Sequence, residues 1–241
     1  MSNSPAFFLS ARASAPSPQI VAASPNAQTR ARPVTASDYC ILEVMGDDAA
    51  ELQRLLDARN EHPESLADID EEIWRRFGRT CAVLVLDMCG FSRLTMRYGI
   101  THFLAMIRRL GVIVRPVITA AGGRVVKSEA DNLFATFDDV PQALAAARAI
   151  HNSLATANNF LPEDWDLHAG IGIGYGPLLL IGGHDLFGSE MNLASKLGED
   201  IAGQGEILLS AEARARVPDE TDLTEIPMQV SGLTLRAFRC A

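Results

Sequence analysis

"RVVKSEADNLFATF" runs from Arg124 to Phe137. Lys127 and Asp131 lie four residues apart in it, and on a helix they would form an ordinary surface pair worth about 0.2–0.5 kcal/mol. The stretch does not read as a helix. Gly122 and Gly123 precede it, Val125 and Val126 are β-branched, and "NLFATF" alternates apolar with polar at period two. The pattern predicts a hairpin with Ser128–Asp131 at its tip, holding a lysine and an aspartate out where something else can meet them.

The surroundings extend this reading. Upstream, "CAVLVLDMCGF" (81–91) is a short apolar run ending in Asp87, the pattern of a buried strand. Ile100, Phe103, Leu104, Ile107, Leu110, Val114, Val117 and Ile118 recur at helical spacing, with a kink expected at Pro116. Downstream, Asp139 is placed to cap a helix that carries Pro141 in its first turn. "DLHAGIGIGYG" (166–176) alternates apolar residues with glycines and reads as a strand with one bare face, where a neighbour can approach closely. The glycines lack the Lys-Ser/Thr of a phosphate loop. "PLLLIGG" is the expected hairpin partner of that strand. "SEMNLASKLGED" reads as helix, "GEILLS" as strand, Ser210 as a cap, and "MQVSGLTLRAF" as a closing hairpin around Ser231–Gly232. The order β, α, β-pair, α, β-pair, α, β, α, β-pair predicts an α+β architecture. Helices then cover one face of a mixed, largely antiparallel sheet.

Residues 1–36 are rich in Ser, Ala and Pro and read as disordered, with an Arg-bearing organelle transit peptide as the alternative. Residues 37–79 form a helical extension, marked by Leu52, Leu55, Leu56, Ile69, Ile73, Trp74 and Phe77. It is free to pair with a second copy or to pack back on residues 80–241. The net charge of −9 argues against nucleic acid as a general partner, and no apolar run is long enough to span a bilayer. Cys40, Cys81, Cys89 and Cys240 show no metal-type spacing and read as free thiols of a reducing, cytoplasmic compartment.

Asp87 at a strand end and Asp131 on the hairpin are two carboxylates that could share a hard cation such as Mg²⁺, which keeps substrate oxygens as further ligands. By spacing alone this signal is weak. Three motifs together are stronger. "VLVLDMCGFSRLT" resembles the first motif of the class III nucleotidyl cyclases, "VVKSEAD" their Lys-x-x-Gly-Asp motif, and "DLFGSEMNLASKL" the third, in the family's order and spacing. The resemblance covers Cys81 to about Val217. It implies a ferredoxin-like βαββαβ core and a site shared between two copies in a homodimer. Asp87, Asp131 and the Met88 carbonyl would bind two Mg²⁺ ions, or Mn²⁺. Lys127 and Asp185, beside Leu186, would read the base. Asn192 would orient the ribose, Lys196 would meet the phosphates, and N–H groups near Phe91 and Ser92 would hold the terminal phosphates.

The base-reading pair carries its own chemistry. A carboxylate accepts from the adenine C6 amine and an ammonium donates to N1, whereas guanine presents the reverse. The expectation is therefore an adenylate cyclase forming 3′,5′-cyclic AMP and pyrophosphate from ATP. Three departures from the family pattern keep alternatives open, one being Ser189 where the family often has Asp or Asn. Ala130 stands where the family has glycine at a turn needing positive φ, and Lys196 stands for an arginine. A weak or inactive nucleotide-sensing module is one alternative, and a cyclase for GTP or a pyrimidine nucleotide is the other.

Overall fold

A computed structural model describes residues 47–162, 165–230 and 233–240. The expectation for residues 1–36 and the Ser231–Gly232 turn fall outside the described residues. Helices α1 (Asp47–Glu61) and α2 (Leu66–Phe77) lead directly into strand β1 (Gly78–Met88). There follow α3 (Phe91–Tyr98), α4 (Ile100–Ala120), β2 (Arg124–Glu129), β3 (Asn132–Phe137), α5 (Val140–Asn158), β4 (Ala169–Ile181), β5 (Asp185–Phe187) and α6 (Ser189–Ser195). A π-helical turn (Lys196–Ile201), β6 (Ile207–Ser210), α7 (Ala211–Arg214), β7 (Leu223–Val230) and β8 (Leu233–Cys240) complete the chain. The strands form one sheet in the order β2-β3-β1-β4-β6-β8-β7, with β5 paired to β4. Among the described residues, only the β4–β6 pairing is parallel. This is the expected α+β fold.

Strand periodicity divides the chemistry between the two faces of the sheet. Ala82, Leu84, Leu86 and Met88 of β1 point to the face covered by α4 and α5. There Phe103, Met106, Leu110, Val114 and Ile118 of α4 are nearly or wholly buried, as are Val140, Ile150 and Leu154 of α5. Each such side chain contributes on the order of 1.5–3 kcal/mol by burial. The Asp139 carboxylate accepts the Gln142 N–H at 2.8 Å and starts α5 as expected. Val83 and Val85 point the other way, into a smaller cluster with Phe134, Leu178, Leu186 and Ala194. Asp87 follows them in the same alternation.

The two faces meet different neighbours because β4 is bare on one side. Ile171 and Ile173 join the helix-covered core, while Gly170, Gly172, Gly174 and Gly176 face α6 and the π turn. A Cβ on Gly170 would sit 2.8 Å from the Ala202 carbonyl oxygen, and one on Gly174 would sit 2.6 Å from that of Glu190. At Gly172 the Ala194 carbonyl is closer still. Backbone therefore lies on backbone along this rail.

"PLLLIGG" is not the hairpin partner of β4 but its continuation. Pro177 opposes Thr80 within an unbroken thirteen-residue strand, and the short β5 turns back against Leu179–Ile181 instead. The helical extension packs back on the domain. Leu55, Ile73 and Phe77 bury against Ile181 at the end of β4, and Arg59 joins α1 to α2 through Asp70. Among the described residues, no helix is long and apolar enough to cross a membrane.

The same Gly→Ala change should act with opposite signs at two sites. Gly172→Ala has no room and should lower stability by roughly 2–3 kcal/mol. Gly111→Ala, in the middle of α4 with only the Arg115 side chain near, at 3.7 Å, should raise it by up to about 1 kcal/mol. Urea unfolding of the two variants measures both, and an unchanged Gly172→Ala midpoint would contradict the rail.

Candidate active site

The β2–β3 hairpin forms as its sequence predicts, but with a device the sequence does not announce. Val125 pairs with Ala135, and the next pair is Lys127 with Phe134, so Val126 is an extra residue. This β-bulge re-aims the strand. Without it Lys127 would alternate onto the helix-covered face. With it, Lys127 lies over the Phe134 ring, its ammonium 5.0 Å from the centroid, on the same face as Asp87. The tip turns at Ala130, whose φ of 50° is the one positive value at a non-glycine among the described residues. The expected demand for a left-handed residue is real, and alanine meets it at a cost of about 1–2 kcal/mol.

Lys127 does not pair with Asp131. Its ammonium donates to Glu129 Oε1 at 2.7 Å and lies 2.9 Å from Asp185 Oδ1. Burial works against the charged amine, but the two carboxylates outweigh it and hold its pKa above the ordinary lysine value. Asp185 Oδ1 also accepts the Leu186 N–H at 2.8 Å. The Leu186 side chain is fully buried, in the cluster that holds Val126 and Phe134. β5 therefore supplies the carboxylate and the bulged β2 the ammonium.

Asp87 pairs across to Gly170 at the open end of β1. Its carboxyl is pushed up to about 7, first by burial and then by the negative charges of Asp131, Glu199 and Asp200. Burial chiefly raises Glu199 as well, with Asp200 and Asp131 adding to the effect. The sequence singled out Asp87 and Asp131. It missed the two acids that the π turn brings up beside them, since nothing in their spacing marks a turn wound wider than an α-helix. Among the described residues, no three His, Cys, Asp or Glu side chains converge as a ready metal cage. Two crowded, poorly neutralised carboxylates of hard oxygen do fit an ion such as Mg²⁺ that completes its shell with water and phosphate. The Met88 side chain is buried in the helix-covered core, so only its main chain can serve there.

Asn192 and Lys196 stand one helical turn apart on the segment that rides the glycine rail. Glu190 anchors that segment, its Oε2 accepting from the Tyr175 N–H at 3.1 Å and the Ser210 hydroxyl at 2.7 Å. Asn192 is exposed. Lys196 begins the π turn and is held by Asp200. Phe91 and Ser92 open α3 directly after the strand-end loop, but their side chains lie outside the described residues.

The chain matches no family model. It is similar to a solved adenylate/guanylate cyclase/hydrolase from Silicibacter pomeroyi, at 30% identity and a TM-score of 0.58, over 68% of this chain and 96% of that one. It is 29% identical over 145 residues to a putative adenylate cyclase 3 of Rhizobium meliloti, and 30% identical over 128 residues to an adenylate cyclase of Streptomyces coelicolor. These alignments span only 24% and 31% of those two proteins, and 60% and 53% of this chain.

The crowding at Asp87 has a signed consequence. The folded chain keeps the Asp87 proton up to about pH 7, while an unfolded aspartate loses it near an ordinary value of about 3.9. Between these values the folded state binds more protons, so stability falls as pH rises through that window and levels off above it. Asp87→Asn should therefore melt above the parent protein at pH 8 and close to it at pH 4.5, in metal-free buffer. Added Mg²⁺ should narrow the gap at pH 8. Equal melting at both pH values would show that the carboxyl is not crowded.

Proposed function

We propose that this chain, which belongs to the class III nucleotidyl cyclase family, is an adenylate cyclase that closes ATP to 3′,5′-cyclic AMP and releases pyrophosphate. The carrying observation is the Lys127–Asp185 pair at 2.9 Å. An ammonium has three N–H donors. Glu129 and Asp185 take two, and the third is left for the adenine N1. Asp185 Oδ1 is engaged twice, by Lys127 and by the Leu186 N–H, and Oδ2 is left to accept from the C6 amine. Guanine would set its O6 against the carboxylate and its N1–H against the ammonium. Each mismatch leaves a desolvated polar group unpaired, at about 1–3 kcal/mol.

Asp87, Asp131 and the Met88 carbonyl are the residues that would hold two Mg²⁺ ions, with Mn²⁺ able to serve in their place. Such ions, when bound, lower the pKa of a coordinated hydroxyl and offset phosphate charge. The remaining work falls to the chain itself. Asn192 would orient the ribose so that its 3′-oxygen attacks the α-phosphorus in line with departing pyrophosphate. Lys196 would turn from Asp200 to the phosphates and balance the charge that develops on them. The first turn of α3, at Phe91 and Ser92, would direct main-chain N–H groups toward the terminal phosphates. In this reading Asp87 and Asp131 of one copy work with Lys127, Asp185, Asn192 and Lys196 of a second. Lys127 and Asp131, neighbours on one hairpin tip, would then serve two different nucleotides.

A nucleotide-sensing module without turnover is the second reading, and it rests on Ala130 and Lys196. Ala130 adopts the left-handed turn despite its Cβ, so the tip keeps its shape. Lys196 brings the charge of an arginine without its two-pronged geometry, which argues for slower chemistry rather than none.

The base assignment is tested by Lys127→Glu with Asp185→Cys. The parent should prefer ATP to GTP in kcat/KM, and the double variant should relax or reverse that preference at lower total activity. A ratio that moves by less than threefold, about 0.7 kcal/mol, would mean that these residues do not read the base.

A further inference from the structure

The Lys127 ammonium has a second carboxylate beside it that the base-reading assignment does not use. Glu129 Oε1 lies 2.7 Å from Lys127 Nζ, while Asp185 Oδ1 lies 2.9 Å from the same nitrogen. In the ladder, Lys127 opposes Phe134 and Glu129 opposes Asn132. The two side chains thus share one face of β2, a two-residue step of about 6–7 Å apart. The Glu129 side chain is 62% exposed against 17% for Lys127, so it is open to a ligand. The three polar groups present a row, acceptor at Asp185, donor at Lys127, acceptor at Glu129.

A base set against this row is read at three positions. Adenine offers a donor at its C6 amine, an acceptor at N1 and a bare C–H at C2. Cytosine offers the same first two, its C4 amine and N3, but then a carbonyl acceptor at C2. The Lys127–Asp185 pair alone therefore cannot separate adenine from cytosine by hydrogen-bond pattern. A carboxylate at the third position can, because it faces the cytosine carbonyl with a like partial charge and leaves two acceptors unpaired. A purine with an added C2 amine, 2,6-diaminopurine, would gain a bond there. We propose that Glu129 is a specificity-determining residue that excludes cytosine and tolerates or favours an amine at the purine C2. The proposal rests on the base-reading role of Lys127 and Asp185 given above.

The test uses 3′-deoxy nucleoside triphosphates, which lack the attacking hydroxyl, so that affinity is read by calorimetry without turnover. The full chain with Mg²⁺ is titrated with the adenosine, cytidine, guanosine and 2-aminoadenosine forms. The parent should bind the cytidine form at least tenfold more weakly than the adenosine form, and the 2-aminoadenosine form about threefold more tightly. Glu129→Gln, which can donate to the cytosine carbonyl, should shrink the cytidine deficit by threefold or more. It should also weaken the 2-amino preference, since a neutral amide oxygen accepts less strongly than a carboxylate. Glu129→Ala should lose the 2-amino preference, and a melting curve checks that each variant is folded.

Cytidine and 2-amino ratios within about twofold of the parent in both variants would overturn the role of Glu129. If that happens while Lys127→Glu with Asp185→Cys still shifts the adenosine-to-guanosine ratio, the base-reading pair stands and Glu129 alone falls. If the parent binds none of the four forms, both fall together.

Discussion

Everything at the site depends on how closely one helix can lie on one strand. The Ala194, Gly198 and Glu190 main chain rests against Gly170, Gly172 and Gly174, a separation that any side chain on those positions would forbid. The approach also works from the other side, since a Cβ on Gly198 would lie 2.8 Å from the Val85 carbonyl oxygen. Because the helix sits this low, the segment that carries Asn192 and Lys196 is held against the face of the sheet that also bears Asp87. Close packing of this kind tolerates little change in volume. The rail therefore fixes the height of the proposed site residues on this segment as well as the stability of the fold.

The second constraint is charge. Asp87 and Glu199 feel the negative charges of Asp131 and Asp200 at the open end of β1, while Lys127 is held by Glu129 and Asp185 and Lys196 by Asp200. Carboxylates crowded without a counter-charge oppose folding. They make sense as a place that awaits positive charge. The left-handed Ala130 stores local strain at the same hairpin tip.

Much of the fold was legible because it is written in periods. The alternation of "NLFATF" and the helical spacing from Phe103 to Ile118 both formed as expected, and the bare glycine face of "GIGIG" did receive a close neighbour. Three features were not legible, each for a physical reason. The bulge at Val126 inserts one residue into an otherwise regular alternation, and only its partner strand reveals the shift. The continuation of β4 through Pro177 was obscured because proline usually ends a strand. The helical extension carried an apolar stripe, but which surface would cover it depended on the end of β4, a hundred residues further along the chain. At the site, Lys127, Asp185, Asp87 and Asp131 were visible as motif positions. Glu129, Glu199 and Asp200 emerged only when the chain was folded.

The central claim is that this arrangement turns ATP into a cyclic nucleotide. The most direct measurement is to incubate the purified chain separately with ATP, GTP, CTP and UTP, with Mg²⁺ or Mn²⁺, and to identify every product by mass and chromatography. The account predicts 3′,5′-cyclic AMP with an equal amount of pyrophosphate from ATP, and little or no cyclic product from the others. A cyclic product from GTP or a pyrimidine nucleotide in preference to ATP, or none from any of the four with either metal, would contradict it.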